Sequence, residues 1–110
     1  MSSHDHALQV DRIIHEPARL RILMILSGAD AVSYNLLRKA LGLTNGNLGA
    51  HLERLEQAGY IQVRKSFQGR TPHSDYSLTE SGSQALGEYW ATLDRIRAEG
   101  ASRSGSKGPA

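Results

Sequence analysis

No cysteine occurs in the 110 residues. Disulfides, thiolate metal sites and thiol nucleophiles are therefore excluded, and a reducing cytoplasm is compatible with the chain. Aromatic residues are scarce: one Trp, one Phe and four Tyr. No apolar run approaches the roughly 20 residues that span a bilayer. The start, Met1 to His6, lacks the basic-then-apolar pattern of a secretory signal. A nucleophile elbow, a phosphate loop and a metal-ligand helix motif are all missing, as is any internal repeat. The expectation is a cytoplasmic non-enzyme that needs no cofactor and no membrane.

What is present fits one small domain. Apolar residues are 39% of the chain, much of it Leu, Ile and Ala, which predicts helices around a thin core. The formal charge is only +2, but it is unevenly placed. Residues 1–32 and 75–110 each carry net −1, whereas residues 33–74 carry net +4 from Arg38, Lys39, Arg54, Arg64, Lys65 and Arg70 against Glu53 and Glu56. A basic middle suits a polyanion partner. An ordinary solvated mixed-charge surface is an equally fair reading of the charges alone.

Residues 1–7 read as a disordered start. Leu8, Val10, Ile13 and Ile14 predict a short helix that ends before Pro17. Pro17 suits the first turn of a second helix through Leu20, Ile22, Leu23, Met24, Ile25 and Leu26, apolar over a wide arc and therefore central. Gly28 stops it, and Val32 opens a short strand or turn. Ser33 can cap a helix through Leu36, Leu37, Ala40 and Leu41, closed by Gly42. Thr44 can cap the next, whose Leu48, Leu52 and Leu55 recur at the helical repeat. Gly59 ends it. From Tyr60 to Phe67 the apolar period becomes two, and Gln68 to Pro72 reads as a turn. Asp75 to Leu78 reads as the returning strand of a two-stranded ribbon. Thr79 can cap a last helix from Glu80 to about Ala98. Residues 99–110 read as a flexible tail by composition.

The order of these parts carries the functional reading. Two helices joined by a three-residue turn with Gly42 make a helix-turn-helix, whose second helix enters the major groove. If Leu48, Leu52 and Leu55 face inward, then Gly46, Asn47, Ala50, Arg54 and Gln57 face outward, with Asn45 and His51 on the flanks. Short side chains near the helix start allow close approach. Asn47 suits an adenine edge, and Arg54 suits guanine or phosphate. Thr44 and Asn45, with the first-turn amides, suit a phosphate oxygen. Arg64, Lys65 and Arg70 bracket a loop that can lie along phosphates or enter a minor groove.

These residues resemble a known family. Glu16-Pro17-Ala18-Arg19-Leu20-Arg21-Ile22-Leu23 looks like the opening of winged-helix repressors related to the ArsR and MarR groups. Leu43 to Leu52, followed by Leu55-Glu56-Gln57-Ala58-Gly59-Tyr60-Ile61, resembles their recognition helix and the strand that follows. Leu78-Thr79-Glu80-Ser81-Gly82 resembles the junction after the wing. The likeness covers roughly residues 8–96. It implies an α+β, mostly α fold: a winged helix-turn-helix over residues 8–98, with a two-stranded wing and flanking dimerisation helices. It also implies a homodimer on double-stranded DNA with a palindromic operator. The chain departs from the family pattern at Gly49 and Ala50, where a hydroxyl residue and a longer polar residue are usual. Gly46 and Gly49 inside a helix each cost about 1 kcal/mol.

Several residues carry two readings. His51 can touch DNA or, more commonly for a His-Leu pair, pack at the core edge. Leu86, Tyr89, Trp90, Leu93 and Ile96 can cover the chain's own core. They can equally join a second copy, with Leu8, Ile13 and Ile14 contributing, and in so small a domain the dimer reading is favoured. Gly46-Asn47-Leu48-Gly49 matches the clamp of an RNA-binding KH module, which would want strands upstream where helices are read. Single-stranded RNA binding would need stacking aromatics, and Phe67 with an inward Tyr76 gives little. His4, Asp5 and His6 form a conceivable metal cluster in a terminus better read as solvated. A winged-helix protein-interaction module is the rival to DNA readout. The sequence specifies no operator, target gene or small-molecule effector.

Overall fold

The computed structural model describes residues 9–106, with side chains as far as Ala101. Residues 1–8 and 107–110 lie outside it, and with them Leu8, the His4–Asp5–His6 group and the end of the expected tail.

The described residues begin with turns and bends at residues 12–16, where the end of a short helix is expected. Asp11 explains the difference. Its Oδ1 accepts the N–H of Ile13 at 2.8 Å and of Ile14 at 3.2 Å. Such side-chain acceptors compete with helical hydrogen bonds and hold a turn. Helix α1, Pro17–Ser27, follows. Glu16 is extended and its carboxylate accepts the Arg19 N–H at 2.7 Å. Pro17 takes the first helical position, where an N–H would have no partner. Ile22, Leu23 and Leu26 are buried, but Met24 on the same apolar arc is 49% exposed. The arc is wider than this thin core can cover.

Strand β1, Val32–Ser33, leads into helix α2, Tyr34–Leu41. Ser33 Oγ accepts the Leu36 N–H at 3.1 Å. Gly42 closes α2 in the left-handed region, φ 65°, a conformation that favours glycine. Thr44 then starts helix α3, Asn45–Gln57, its Oγ1 accepting the Asn47 N–H at 3.1 Å. Leu48, Leu52 and Leu55 are 0, 2 and 0% exposed and meet Ile14, Ile22, Leu23, Leu26, Leu37, Ile61 and Tyr76 in one core. Truncating one such leucine to alanine costs about 2–5 kcal/mol.

Strands β2, Ile61–Gln68, and β3, Thr71–Leu78, pair antiparallel from Ile61 opposite Leu78 to Gln68 opposite Thr71. The turn is only Gly69 and Arg70, with Gly69 at φ 65°, so the hairpin is longer than the alternation predicts. Pro72 stands inside β3, opposite Phe67. A proline is tolerated there because no second strand flanks it. β1 pairs only with Tyr76 and Asp75, at the root. The ribbon is therefore three-stranded at its base, in the order β1-β3-β2, and two-stranded towards its tip.

Helix α4, Glu80–Ser106, begins against the hairpin's root. Thr79 Oγ1 accepts the Gly82 N–H at 2.9 Å and donates to the Gly59 carbonyl at 2.6 Å. The helix does not end near Ala98. It runs to Ser106, so residues 99–106 are helical rather than a loose tail. Gly and Ser lower helix propensity there, but no proline interrupts residues 99–106. At 27 residues α4 is about 40 Å long. Leu86, Tyr89 and Thr92 are buried, so its first half closes the chain's own core.

Candidate nucleic-acid interface

The outward face of α3 is built by what its inward face must do. With the leucine stripe turned to the core, Asn45, Gly46, Asn47, Ala50 and Arg54 are all exposed. Thr44 is exposed as well, at the N-terminal end where the first-turn amides point outward. The first half of this face carries no carboxylate. Glu53 lies further along and accepts from Gln57 Nε2 at 3.3 Å. The end that leads into a groove is thus short-chained, amide-rich and free of acidic side chains.

His51 is turned elsewhere. Its Nδ1 lies 3.2 Å from Arg19 Nη1, and its Nε2 lies 3.8 Å from Glu16 Oε2. The ring packs against the start of α1, with 21% of the side chain exposed. It therefore packs at the core edge, the more common of the two roles the sequence leaves open to it, and does not stand with the outward residues of α3. Arg19 makes this joint. Its Nε donates to the Ile13 carbonyl at 2.6 Å, so one guanidinium ties the opening turn, α1 and α3 together. The pattern Glu16-Pro17-x-Arg19 is the only sequence signal for that role.

The hairpin register separates the three basic residues. Cross-strand partners share a face. Ile61, Val63, Lys65 and Phe67 thus form one face with Leu78, Tyr76, Ser74 and Pro72. Arg64 lies on the other, opposite Asp75, whose Oδ1 is 3.0 Å from His73 Nε2. Lys65 and Arg70 are exposed towards the tip, while Arg64 has a carboxylate beside it. Arg70 occupies the turn itself. Between Gln57 and Ser74 the sequence contains no Asp or Glu.

Tyr34 joins helix and wing, and sequence reasoning missed it. Its hydroxyl donates to the Asn45 carbonyl at 3.2 Å and to Asn45 Oδ1 at 3.1 Å. The same residue lines a cleft of about 110 Å³ with Asn35, Pro72, His73 and Ser74. The start of α3, the start of α2 and the middle of β3 therefore meet along one edge. An aromatic residue directly after a cap, and outside the leucine pattern, was the available clue.

Two tyrosines fasten the hairpin's root. Tyr60 donates to Asp11 Oδ2, and burial, this bond and the charges of Asp11 and Glu88 push its pKa from 10.0 up to about 12. Tyr76 lies between Val32 and Val63 in the register, and burial with the nearby Glu56 raises its pKa too. Both phenols stay neutral across the physiological range, as a packed root requires.

The residues read as a dimer seam divide. Ile14, Leu86 and Tyr89 are 0, 7 and 4% exposed and belong to the chain's own core. Ile13 and Leu93 are partly buried against it. Only Trp90 and Ile96, each 40% exposed, stand out from α4. The favoured reading of the stripe underestimated how much core a helix after the wing must close. Tyr89 is further fixed by His15 Nδ1 at 2.8 Å and by an edge-on contact with Trp90, ring centroids 5.4 Å apart. Beside them His15, Glu16, Pro17, Leu20 and Tyr89 line a mostly apolar hollow of about 340 Å³.

Comparison with known proteins agrees with this geometry. Residues 18–97 match the family model described as a winged helix DNA-binding domain. The chain is 32% identical over 78 residues to the uncharacterized protein MJ0432 of Methanocaldococcus jannaschii, covering 71% of this chain and 85% of that one. Among solved structures it is similar to a transcriptional regulator homologue from Pyrococcus horikoshii OT3. The TM-score is 0.77 at 24% identity, over 90% of this chain and 97% of the other. It is also similar in fold to MarR, with a TM-score of 0.65 at 17% identity, over 76% of this chain and 60% of MarR.

Proposed function

The chain belongs to the winged helix DNA-binding domain family, and from that membership we propose that it is a sequence-specific transcription regulator that represses by occupying its operator. The observation that carries this reading is the single edge formed by the α3 N-terminus and the wing, joined through Tyr34. A major groove about 12 Å wide accepts one helix. Asn47 and Arg54 are exposed on α3 to meet base edges, while Thr44, Asn45 and the adjacent amides meet phosphate. Gly46 and Ala50 hold the backbone close. Lys65 and Arg70 extend the contact to the neighbouring backbone.

The regulator acts as a homodimer through Trp90, Ile96 and the distal part of α4. Those apolar groups stand on a helix longer than the chain's own core can cover. A two-fold pair would set two α3 helices about 34 Å apart and select a palindromic site. Acting on chromosomal DNA, it would work in the cytoplasm. Among the described residues no helix is long and apolar enough to cross a membrane.

The test is binding to genomic fragments across a salt series. The wild-type chain should select particular fragments, with affinity falling steeply as salt rises. Replacing Arg64, Lys65 and Arg70 together by alanine should weaken binding about a hundredfold and flatten the salt dependence by about two phosphate contacts. Arg64, beside Asp75, should contribute least. Equal binding by the triple variant, without a salt slope, would overturn the reading.

A further inference from the structure

Phe67 is the most exposed large apolar side chain among the described residues, at 71%. Its neighbours bear on why. It follows Ile61, Val63 and Lys65 on the face of β2 that packs on the core at its root. Beyond Val63 the body no longer reaches, yet the apolar alternation resumes at Phe67. Its cross-strand partner is Pro72, also exposed. An aromatic ring and a pyrrolidine ring therefore stand side by side at the hairpin's end, two residues from the turn.

Their surroundings are cationic. Lys65 shares their face, Arg70 occupies the turn, and no carboxylate occurs from Gln57 to Ser74. The pair is also set in register. Eight register pairs tie β2 to β3, and Pro72 has a fixed φ. A partner would thus meet an apolar contact already formed by paired strands. A flat ring and a proline between basic residues, on the edge that already presents α3, fit a narrow slot with anionic walls.

We propose that Phe67 and Pro72 form an apolar wedge that enters the minor groove of bound duplex DNA and bends it, with Lys65 and Arg70 on the flanking phosphates. Apolar wedges of Phe or Pro between base steps kink a duplex by about 20–90°. The wedge would add preference for flexible pyrimidine–purine steps at positions that α3 does not touch. This rests on the DNA-binding reading above and adds a second, shape-based source of specificity to it.

The experiment uses the full chain and duplexes that the wild-type protein selects from a randomised pool, labelled at both ends for energy transfer. Wild type should raise the transfer efficiency on binding. Phe67→Ala should bind about tenfold more weakly and lose most of the bend, with an unchanged salt slope. Phe67→Leu should retain the bend, and Arg70→Ala should lower the salt slope while retaining it. Circular dichroism should report the same fold for all variants, because the altered side chains are exposed. A Phe67→Ala chain that bends and binds like wild type overturns the wedge and leaves the DNA reading standing. A wild-type chain that selects no duplex overturns both. Loss of binding to phosphatidylglycerol vesicles in Phe67→Ala, with DNA bending intact, also overturns the wedge, in favour of a lipid surface.

Discussion

The outer faces of α3 and α4 are both exposed, but they differ in kind. On the first half of α3 the exposed groups are small or polar, Asn45, Gly46, Asn47 and Ala50, and the charged Glu53, Arg54 and Glu56 follow only further along. On α4 they include a large indole and an isoleucine, Trp90 and Ile96. Each helix spends its other face on the same core. The lesson is that burial decides only which face is spare. The chemistry of the spare face then distinguishes the partners proposed above: a polyanion for α3, and an apolar surface of the same kind for α4.

Two glycines sharpen this contrast. A Cβ on Gly82, at the start of α4, would overlap the Tyr60 carbonyl oxygen, and would lie 2.8 Å from its carbonyl carbon and 2.9 Å from Leu78 Cδ1. The first two are backbone atoms and cannot swing away. Gly82→Ala should therefore destabilise the fold by about 3 kcal/mol, the upper range of overpacking. Urea unfolding checks it. A Cβ on Gly46, in contrast, meets nothing within 4 Å in this chain. If Gly46 is small for the sake of DNA, the usual link between stability and function breaks at that site.

Between these lies the α4 face. Changing Trp90 and Ile96 together to serine should weaken self-association by about 2 kcal/mol, roughly thirtyfold. The monomer should keep its fold, with some loss of stability because Trp90 also meets the buried Tyr89 edge-on. Sedimentation across a dilution series reads the first effect and far-ultraviolet dichroism the second. Unaltered self-association would mean that the two spare faces do not divide their work in this way. The smallest effect belongs to Gly46→Ala. Removing a helical glycine should stabilise α3 by about 1 kcal/mol. DNA affinity should nevertheless fall, measured by fluorescence anisotropy on a selected fragment.

Much of this contrast could be read before any coordinates. Pro17, Ser33, Thr44 and Thr79 start their helices, and Gly42 closes α2, because caps and left-handed turns depend on neighbours only a few residues away. The buried stripe Leu48, Leu52, Leu55 follows from helical period for the same reason. What escaped the sequence depends on distant partners. A short strand at Val32 is one of two readings the sequence allows, but that it joins the ribbon as a third strand depends on Tyr76 and Asp75 lying beside it. Leu86 and Tyr89 belong to the core because the helical layer leaves a gap that only the start of α4 fills. That His51 packs at the core edge is the favoured reading of the sequence, but its partners there, Glu16 and Arg19, are not legible in it. Periodicity identifies an apolar or polar face, but it cannot say whether that face meets the same chain or another.

The division of faces can be seen directly by following backbone amide resonances while a selected duplex is added. The account predicts shifts concentrated at Thr44 to Arg54 and from Lys65 to Pro72's neighbours Thr71 and His73, with Trp90 and Ile96 unmoved. Shifts centred on α4, with the start of α3 and the hairpin tip unchanged, would contradict it.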